Sequence, residues 1–189
     1  FYDRNNEFLY EMSHEKRLFV PIEQVSKNLI NAVIAAEDKT FYENPGFDIY
    51  GIARSAIFDI PKFLKGEKLA GGSSITQQII KNVVLSNERT MKRKVREMIL
   101  SYLITHRLSK DKILEVYLNH IYFGLRSYGV GAASMIYFSK SPNELTVAEA
   151  ATIAAIPKAP SSLNPIKNYQ RALDRRNWIL KRMHEEGMI

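Results

Sequence analysis

The chain lacks cysteine altogether and is poor in proline and glycine. Without cysteine it can have no disulfide framework, no thiol nucleophile and no sulfur-ligated zinc site. Seven prolines and nine glycines among 189 residues exclude collagen-like and low-complexity chains. No stretch approaches the roughly 18 consecutive apolar residues that a membrane span needs. Because 46% of the residues are hydrophobic, the chain can bury a core, and its length predicts a single domain over residues 1–189.

Positive charge is in excess, and most of the excess lies in one segment. The formal net charge is +7, and residues 81–112 carry nine Lys and Arg against three acidic residues. A concentrated basic field attracts phosphates, nucleic acid or an anionic membrane surface. A solvated helix face is the alternative interpretation. A nucleic-acid-binding domain would also need base-stacking or groove-reading elements, and none is recognisable.

Hydrophobic periodicity predicts a mostly α fold with little strand. After a strand-prone lead-in over residues 1–20, helices are expected over 25–37, 47–64, from 75 onward, 90–108, 111–119, 130–138, 146–156 and 168–186. Glycines and small polar residues predict a loop over 65–74. The apolar stripe of the helix over 90–108 consists of Met91, Val95, Met98, Ile99 and Tyr102.

Two glutamates are the best candidates for proton chemistry. Glu37 ends the first predicted helix, on the same face as Val33 and Ile34. There it is partly desolvated and lies at the negative end of the helix dipole, a setting that suits a general acid or base. Glu97 follows Arg93 by four residues and Lys94 by three, so both cations lie beside it on the helix surface. The alternatives are ordinary ion pairs: Glu37 with a cation such as Lys39, and Glu97 with its helical neighbours.

The segment Gly71–Gln78 joins the glycine-rich loop to a helix start. Backbone N–H groups and hydroxyls at such a position can bind an anion, although the segment does not end as a Walker loop does. A plain helix cap is the alternative, but one of Gln77 and Gln78 is expected to face inward. The four histidines lack metal-ligand spacing, and no serine-hydrolase elbow is present.

Five stretches in order resemble the peptidoglycan glycosyltransferase domain (glycosyltransferase family 51) of class A penicillin-binding proteins and monofunctional transglycosylases. The stretches are Glu37–Tyr42 with Gly46, Gly71–Gln78, Arg93–Glu97, Ile113–Asn119 and Ala154–Ser161 with Asn164–Pro165. The resemblance spans about residues 25–186. The family usually has His where Asn44 stands and Thr where Ser74 stands, while Ser127 and Ser139 replace the usual Ala and Gly.

The resemblance implies a lysozyme-like, two-lobed α fold with a cleft between a larger lobe and a smaller, membrane-facing jaw lobe that includes about residues 58–75. It implies polymerisation of lipid II onto a growing lipid-linked glycan at the outer face of the bacterial cytoplasmic membrane. Moenomycin-type inhibitors are implied as ligands, and nucleic acid is not. Glu37 would be the general base, and Glu97 would assist the leaving diphosphate. The resemblance also allows a divalent cation, Mg²⁺ or Mn²⁺, at Glu97.

Further residues are implied in substrate binding. They are Lys81, Arg89, Lys94, Ser73, Gln78, Asp38 and Lys158. The apolar and lysine-containing stretch over 57–65 suits a surface in the membrane interface; the alternative is a packed helix end with solvated lysines. A lysozyme-like glycan-cleaving enzyme remains an alternative function, but it would not need the diphosphate-binding cations.

Overall fold

The structure is a computed structural model that describes residues 16–49, 51, 73–84 and 90–189. Most of this part of the chain is helical, which confirms the expected mostly α fold. Its helices are α1 Lys27–Glu37, α2 Ile75–Ile79, α3 Met91–Arg107, α4 Lys110–His120, α5 Val130–Phe138, α6 Val147–Ala155 and α7 Tyr169–Glu185. The described ranges also contain two 3₁₀ helices, Ile22–Gln24 and Ile156–Lys158, and a π-helical turn over Ile80–Val84.

Hydroxyl side chains set most of the helix starts. Ser26, Thr90 and Ser109 each accept a hydrogen bond from a backbone N–H in the first turn of the helix that follows. Ser74 and Gln77 form a capping box at the start of α2, and Thr146 forms another with Glu149 at α6. These caps satisfy N–H groups that would otherwise lack a partner, so the helices begin where the hydroxyls stand.

Residues 16–20, the described end of the lead-in, are held in place by β2 and α4. The short strand β1, Lys16–Arg17, pairs in parallel with β2, Ser127–Tyr128. The Asn119 side chain accepts from the Val20 N–H at 2.8 Å and donates to the Val20 carbonyl at 2.9 Å. A Glu115 oxygen accepts from the Ile22 N–H at 3.1 Å. The stretch Ile113–Asn119 therefore anchors the segment that precedes α1.

Helix α1 lies at the centre of the core and packs against α6 and α7. Five of its residues are buried: Leu29, Ala32, Val33, Ile34 and Ala35. The facing side of α6 is largely alanine, with Ala150, Ala151, Ala154 and Ala155 buried. Small side chains allow two helices to approach closely, so α1 is enclosed along most of its length and its last residue has a fixed position.

Helix α3 turns a different face inward than its apolar pattern suggests. Val95 and Ile99, from the predicted apolar stripe, are 48% and 52% exposed, whereas Glu97 is 1% exposed and Ser101 is fully buried. The stripe therefore lies outward. Burial of the carboxylate is tolerated because Arg93 and Lys94 neutralise it.

Several expectations fall largely on residues outside the described ranges. The predicted helix over 47–64, the jaw segment over 58–75 and the proposed membrane-interface stretch over 57–65 lie mostly or wholly there. In the ranges that are described, every helix is too short or too polar to cross a lipid bilayer.

Candidate active site

Glu37 is the last residue of α1, and its side chain borders an open cavity of about 700 Å³. The cavity is lined by the carboxyl end of α1 and the turn after it, by two residues near position 50, by the residues just before α2, and by the carboxyl end of α7: Ala36, Glu37, Asp38, Lys39, Thr40, Asp48, Gly51, Ser73, Ser74, Trp178, Arg182, Glu185 and Glu186. Lys39 pairs with Glu186 at 3.1 Å rather than with Glu37. Lys39 is therefore not the ion-pair partner of Glu37, whose carboxylate borders space that a ligand can enter.

A side-chain amide orients the Glu37 carboxylate. The Gln78 Nε2 donates to Glu37 Oε2 at 2.7 Å, and the Tyr117 hydroxyl donates to Gln78 Oε1 at 3.3 Å. Burial first, and the negative charge of Glu37 second, raise the pKa of Tyr117 well above its usual value, so its hydroxyl stays protonated. Because Tyr117 presents a donor, the Gln78 oxygen faces Tyr117 and its nitrogen faces Glu37.

The Gln78 amide also contacts Ser73, which connects it to Lys94 and Glu97. Gln78 Nε2 also lies 3.4 Å from the Ser73 carbonyl oxygen, and Lys94 Nζ donates to Ser73 Oγ at 3.0 Å. Lys94 in turn pairs with Glu97. A continuous polar row therefore joins Glu37 to Glu97, and its members come from three segments: α1, residues 73–78 and α3. The Lys94 side chain is 45% exposed, so its ammonium remains accessible to a ligand.

Glu97 itself is enclosed. Arg93 donates to one of its oxygens at 2.9 Å and Lys94 to the other, and no other described carboxylate joins it. A Mg²⁺ or Mn²⁺ ion needs several oxygen ligands in the inner sphere, whereas both Glu97 oxygens are occupied by cations. Among the described residues no three His, Asp or Glu side chains are placed to hold a metal. This donor set does not fit the divalent cation that the family resemblance allows at Glu97.

The remaining predicted binding residues differ in exposure and in their distance along the chain from the polar row. Asp38 is buried and both of its oxygens accept hydrogen bonds from this chain. Lys81 is exposed on the π-helical turn, three residues after Gln78. Lys158 is exposed on the second 3₁₀ helix and takes no part in the polar row between Glu37 and Glu97. Arg89 lies outside the described residues.

Helix α7 contributes Trp178, Arg182 and Glu185 to the lining of the cavity, which the sequence patterns did not predict. The guanidinium groups of Arg175 and Arg182 lie 3.9 Å and 4.8 Å from the Trp178 ring centre. Arg175 also donates to the Ala36 carbonyl at 3.3 Å, beside Glu37. Burial lowers the pKa of Arg175, and the nearby Glu37 carboxylate opposes that shift. The Trp178 side chain is 39% exposed.

Tyr117 and Lys110 are further residues that sequence reasoning left without a role. Tyr117 reads as one of several apolar positions of α4, and Lys110 as one of nine cations in a basic segment. What distinguishes them is a partner far away in sequence: Gln78 for Tyr117 and Asn44 for Lys110. No local pattern carries that information.

A second open cavity, of about 490 Å³, lies between the π-helical turn and β2. Tyr122 and Tyr128 meet there with ring centres 4.9 Å apart, and Arg17 lies over the Tyr128 ring. Asn82 and Val83 line its other side. The chain between the end of α4 and β2 therefore forms part of the wall of this cavity.

Comparison with known proteins gives a consistent result. The family described as Transglycosylase matches residues 5–184. Penicillin-binding protein 1A of Rickettsia typhi is 50% identical over 188 residues, which is 100% of this chain and 24% of that protein. Penicillin-binding protein 1A of Neisseria gonorrhoeae is 47% identical over the same length, covering 23% of that protein.

A solved structure agrees with these relatives. The 2.6 Å crystal structure of penicillin-binding protein 1A from Haemophilus influenzae superposes with a TM-score of 0.55 at 29% identity, over 100% of this chain and 18% of that one. The chain thus spans about a quarter of the length of the curated relatives it matches. The expected family is confirmed, whereas the roles of individual residues remain predictions. With five motifs in order, a matching helical fold and a match over nearly its whole length, the chain belongs to the transglycosylase family.

Proposed function

We propose that this chain is a peptidoglycan glycosyltransferase that joins lipid II to a growing lipid-linked glycan. The polar row from Glu37 through Gln78 and Ser73 to Lys94 carries the proposal. It aligns a carboxylate that can accept a proton with an ammonium that can bind an anionic leaving group, beside a cavity large enough for a sugar. A transfer that displaces a diphosphate needs both groups.

Glu37 acts as the general base in this proposal. It takes the proton of the acceptor sugar's 4-hydroxyl as that oxygen attacks C1 of the donor sugar, giving a β-1,4 link with inversion. The hydrogen bond from Gln78 leaves Glu37 Oε1 for the substrate, because only Oε2 accepts from the amide. Trp178 and Arg182 of α7 line the same cavity as the carboxylate and limit how the acceptor can lie.

The diphosphate leaves from the other end of the row. As the C1–O bond breaks, both of its electrons go to the diphosphate oxygen, and Lys94 with Lys81 and Arg89 stabilises the charge that develops. Glu97 contributes indirectly: it holds Lys94 and Arg93 in place rather than contacting the leaving group. No step in this mechanism is assigned to a metal ion.

The substrates fix the place of action that we propose. The isoprenoid part of a lipid-linked sugar lies in the bilayer. The protein would therefore act in contact with the membrane surface, at the outer face of the bacterial cytoplasmic membrane. Inhibitors of the moenomycin type, which carry a lipid and a phosphate, would compete for the same cations. The local excess of positive charge over residues 81–112 supports both expectations.

The test incubates the purified chain with labelled lipid II in detergent and separates the products on a gel. We expect a ladder of polymer, and the Glu37→Gln variant should lower its rate about a thousandfold while its circular dichroism spectrum stays unchanged. Glu23→Gln is the matched control, because Glu23 is exposed on the first 3₁₀ helix and outside the cavity. Hydrolysed glycan instead of polymer would favour the lysozyme-like alternative, and normal polymerisation by Glu37→Gln would refute the assignment of the base.

Binding of the leaving group is tested separately with a non-reactive diphospholipid analogue. Lys81→Ala and Arg89→Ala should each weaken its binding about tenfold, the loss of one charge-assisted contact. Lys181→Ala is the control, since the Lys181 side chain is 76% exposed on α7. Unchanged affinity in both variants would remove these cations from the diphosphate site.

A further inference from the structure

We infer that Lys110 is a positioning residue for the transfer, acting through Asn44 and Asp38 on the helix that carries Gln78. The inference rests on the proposed function, because it concerns how the general base is held. Lys110 is the first residue of α4, and it is not among the residues that the family resemblance assigns to substrate binding.

The Lys110 ammonium lies in a site built by the turn after α1. Its Nζ donates to the Asn44 backbone carbonyl at 2.6 Å and approaches Asn44 Oδ1 at 3.3 Å. It also lies 4.8 Å from the centre of the Phe41 ring, a cation–π contact. Burial lowers the pKa of Lys110, and the Asp38 carboxylate opposes that shift. The cation is therefore held by three features of one short turn.

Lys110 and the backbone N–H of Gly46 together set which way the Asn44 amide points. An ammonium can only donate, and the Gly46 N–H also donates to Asn44 Oδ1, at 2.9 Å. With its oxygen facing two donors, the amide must present Nδ2 to Asp38, which it does at 3.0 Å and 3.1 Å from the two carboxylate oxygens. A reversed amide would place its oxygen against a carboxylate and its N–H₂ against two donors.

Asp38 transmits this orientation to the active site. Its Oδ2 accepts from the backbone N–H of Ile75 at 3.1 Å, which fixes the first turn of α2. Ser74, at the start of the same helix, donates to the Gly46 carbonyl at 2.5 Å. Gln78 lies one turn further along and reaches Glu37, while Ser73 precedes the helix and reaches Lys94. A connected set of contacts therefore runs from Lys110 to the proposed base, Glu37, and to the proposed diphosphate-binding residue, Lys94.

The position of Asn44 gives this arrangement a measurable signature. Asparagine does not titrate, so Lys110 and Asp38 are the described ionisable groups that meet at this amide. Ser101 and Thr105 of α3 lie against Gly46, and α2 presents the Ile75 N–H. Asp111, next to Lys110, accepts instead from the Tyr42 hydroxyl at 3.0 Å. A carboxylate introduced at position 44 would face Asp38 directly, and the repulsion between the two negative charges would favour a proton shared between them.

The experiment compares Lys110→Met, Lys110→Arg and Asn44→Asp with the wild-type chain, with Lys181→Met as the control. We expect Lys110→Met to lower kcat about tenfold with KM within about twofold, since Lys110 touches no substrate, and Lys110→Arg to restore most of it. The ratio of Asn44→Asp activity to wild-type activity should rise about tenfold from about pH 8 to about pH 5.5, as the shared proton restores a donor to Asp38.

Unfolding measured over the same pH range is the second readout. The midpoint of Asn44→Asp should approach that of the wild type as the pH falls. A flat activity ratio with an active wild type would overturn the inference, as would a Lys110→Met variant that loses affinity but keeps kcat. If the wild type makes no polymer, the proposed function fails, and a pH-independent gap between the two unfolding midpoints then overturns the Lys110–Asn44–Asp38 linkage itself.

Discussion

The Tyr117 hydroxyl donates to the side-chain oxygen of Gln78 and thereby turns the amide nitrogen of Gln78 onto the Glu37 carboxylate. Tyr117 is completely enclosed in the core, and its raised pKa keeps the hydrogen in place across the physiological range. The orientation of the proposed base is therefore fixed by a residue that has no contact with the cavity.

Removing that hydroxyl should uncouple the amide from the base. In Tyr117→Phe the Gln78 oxygen loses its donor, which costs about 1–3 kcal/mol for a buried polar group and frees the amide to rotate. We expect kcat for polymerisation to fall about tenfold with little change in KM. Tyr169→Phe is the control, because Tyr169 is exposed at the start of α7. An unchanged kcat in Tyr117→Phe would show that the amide is oriented by other contacts.

Neutralising Glu97 should lower the stability of the folded chain, and activity should fall as a consequence of that lower stability. Glu97→Gln leaves Arg93 and Lys94 without their shared counter-charge at a buried position. Breaking such a pair costs about 3 kcal/mol, the lower end of the usual range because Lys94 is partly solvated. Urea unfolding measures the loss. Glu185→Gln, at a surface pair on α7, should change stability by less than about 1 kcal/mol. Equal effects in the two variants would contradict the buried role of Glu97.

Asp38 and Glu115 should respond to pH with opposite signs. Burial raises the pKa of Asp38 above its ordinary 3.8, although its hydrogen bonds to Ile75 and Asn44 and the charge of Lys110 oppose the shift. The folded state then binds this proton more readily than the unfolded state. The contribution of Asp38 to stability therefore rises as pH falls through the raised pKa, and levels off below 3.8. Comparing the free energy of unfolding of the wild type with that of Asp38→Asn across this range isolates the effect.

Glu115 provides the opposite case. The hydrogen bond from Lys112 is the main cause of its lowered pKa, with a further contribution from the Ile22 N–H. Its stabilising contribution is present above the ordinary value of 4.5 and disappears as the pH falls through the lowered pKa. The advantage of the wild type over Glu115→Gln should thus shrink on acidification. If both differences moved in the same direction, one of the two assignments would be wrong.

Gly46 should tolerate no side chain. It has a φ of +105°, and a Cβ there would lie 2.5 Å from the Ser101 carbonyl oxygen and 2.8 Å from Thr105 Oγ1. Gly46→Ala should lower stability by about 3 kcal/mol, combining backbone strain with overpacking. Gly187→Ala is a matched control, because Gly187 also has a positive φ of +66° but nothing within 4 Å of its Cβ position. Similar midpoints for the two variants in thermal unfolding would show that α3 yields to the added methyl group.

Local sequence signals predicted the helices well wherever a cap and an apolar face coincide. Ser109 marks the start of α4, and the helix expected over 130–138 has the observed bounds. The prediction failed for the face of α3, because periodicity assumes that apolar residues lie inward. Glu97 is buried instead, a result that depends on two cations one turn away and on Ser73, which comes from another segment.

The residue types of the candidate site are predictable from the sequence, but their contacts are not. Glu37 and Gln78 were both identified, yet the bond between them joins residues 41 positions apart, and nothing local to either residue indicates it. The sequence predicts that one of the paired glutamines faces inward, whereas both of them form hydrogen bonds within the chain. Gln77 caps its own helix through the Ser74 N–H at 3.0 Å, and Gln78 serves the base. The roles of Tyr117, Lys110 and Arg175 arise only when α1, α2, α4 and α7 come together.

The chain contains a single tryptophan, Trp178, and it lies in the wall of the cavity that Glu37 borders. Its intrinsic fluorescence therefore originates from one place, beside the guanidinium groups of Arg175 and Arg182. A ligand that excludes water there or displaces Arg182 must alter that emission. The unmodified chain thus carries its own optical probe, and occupancy of the cleft can be titrated without attaching a dye.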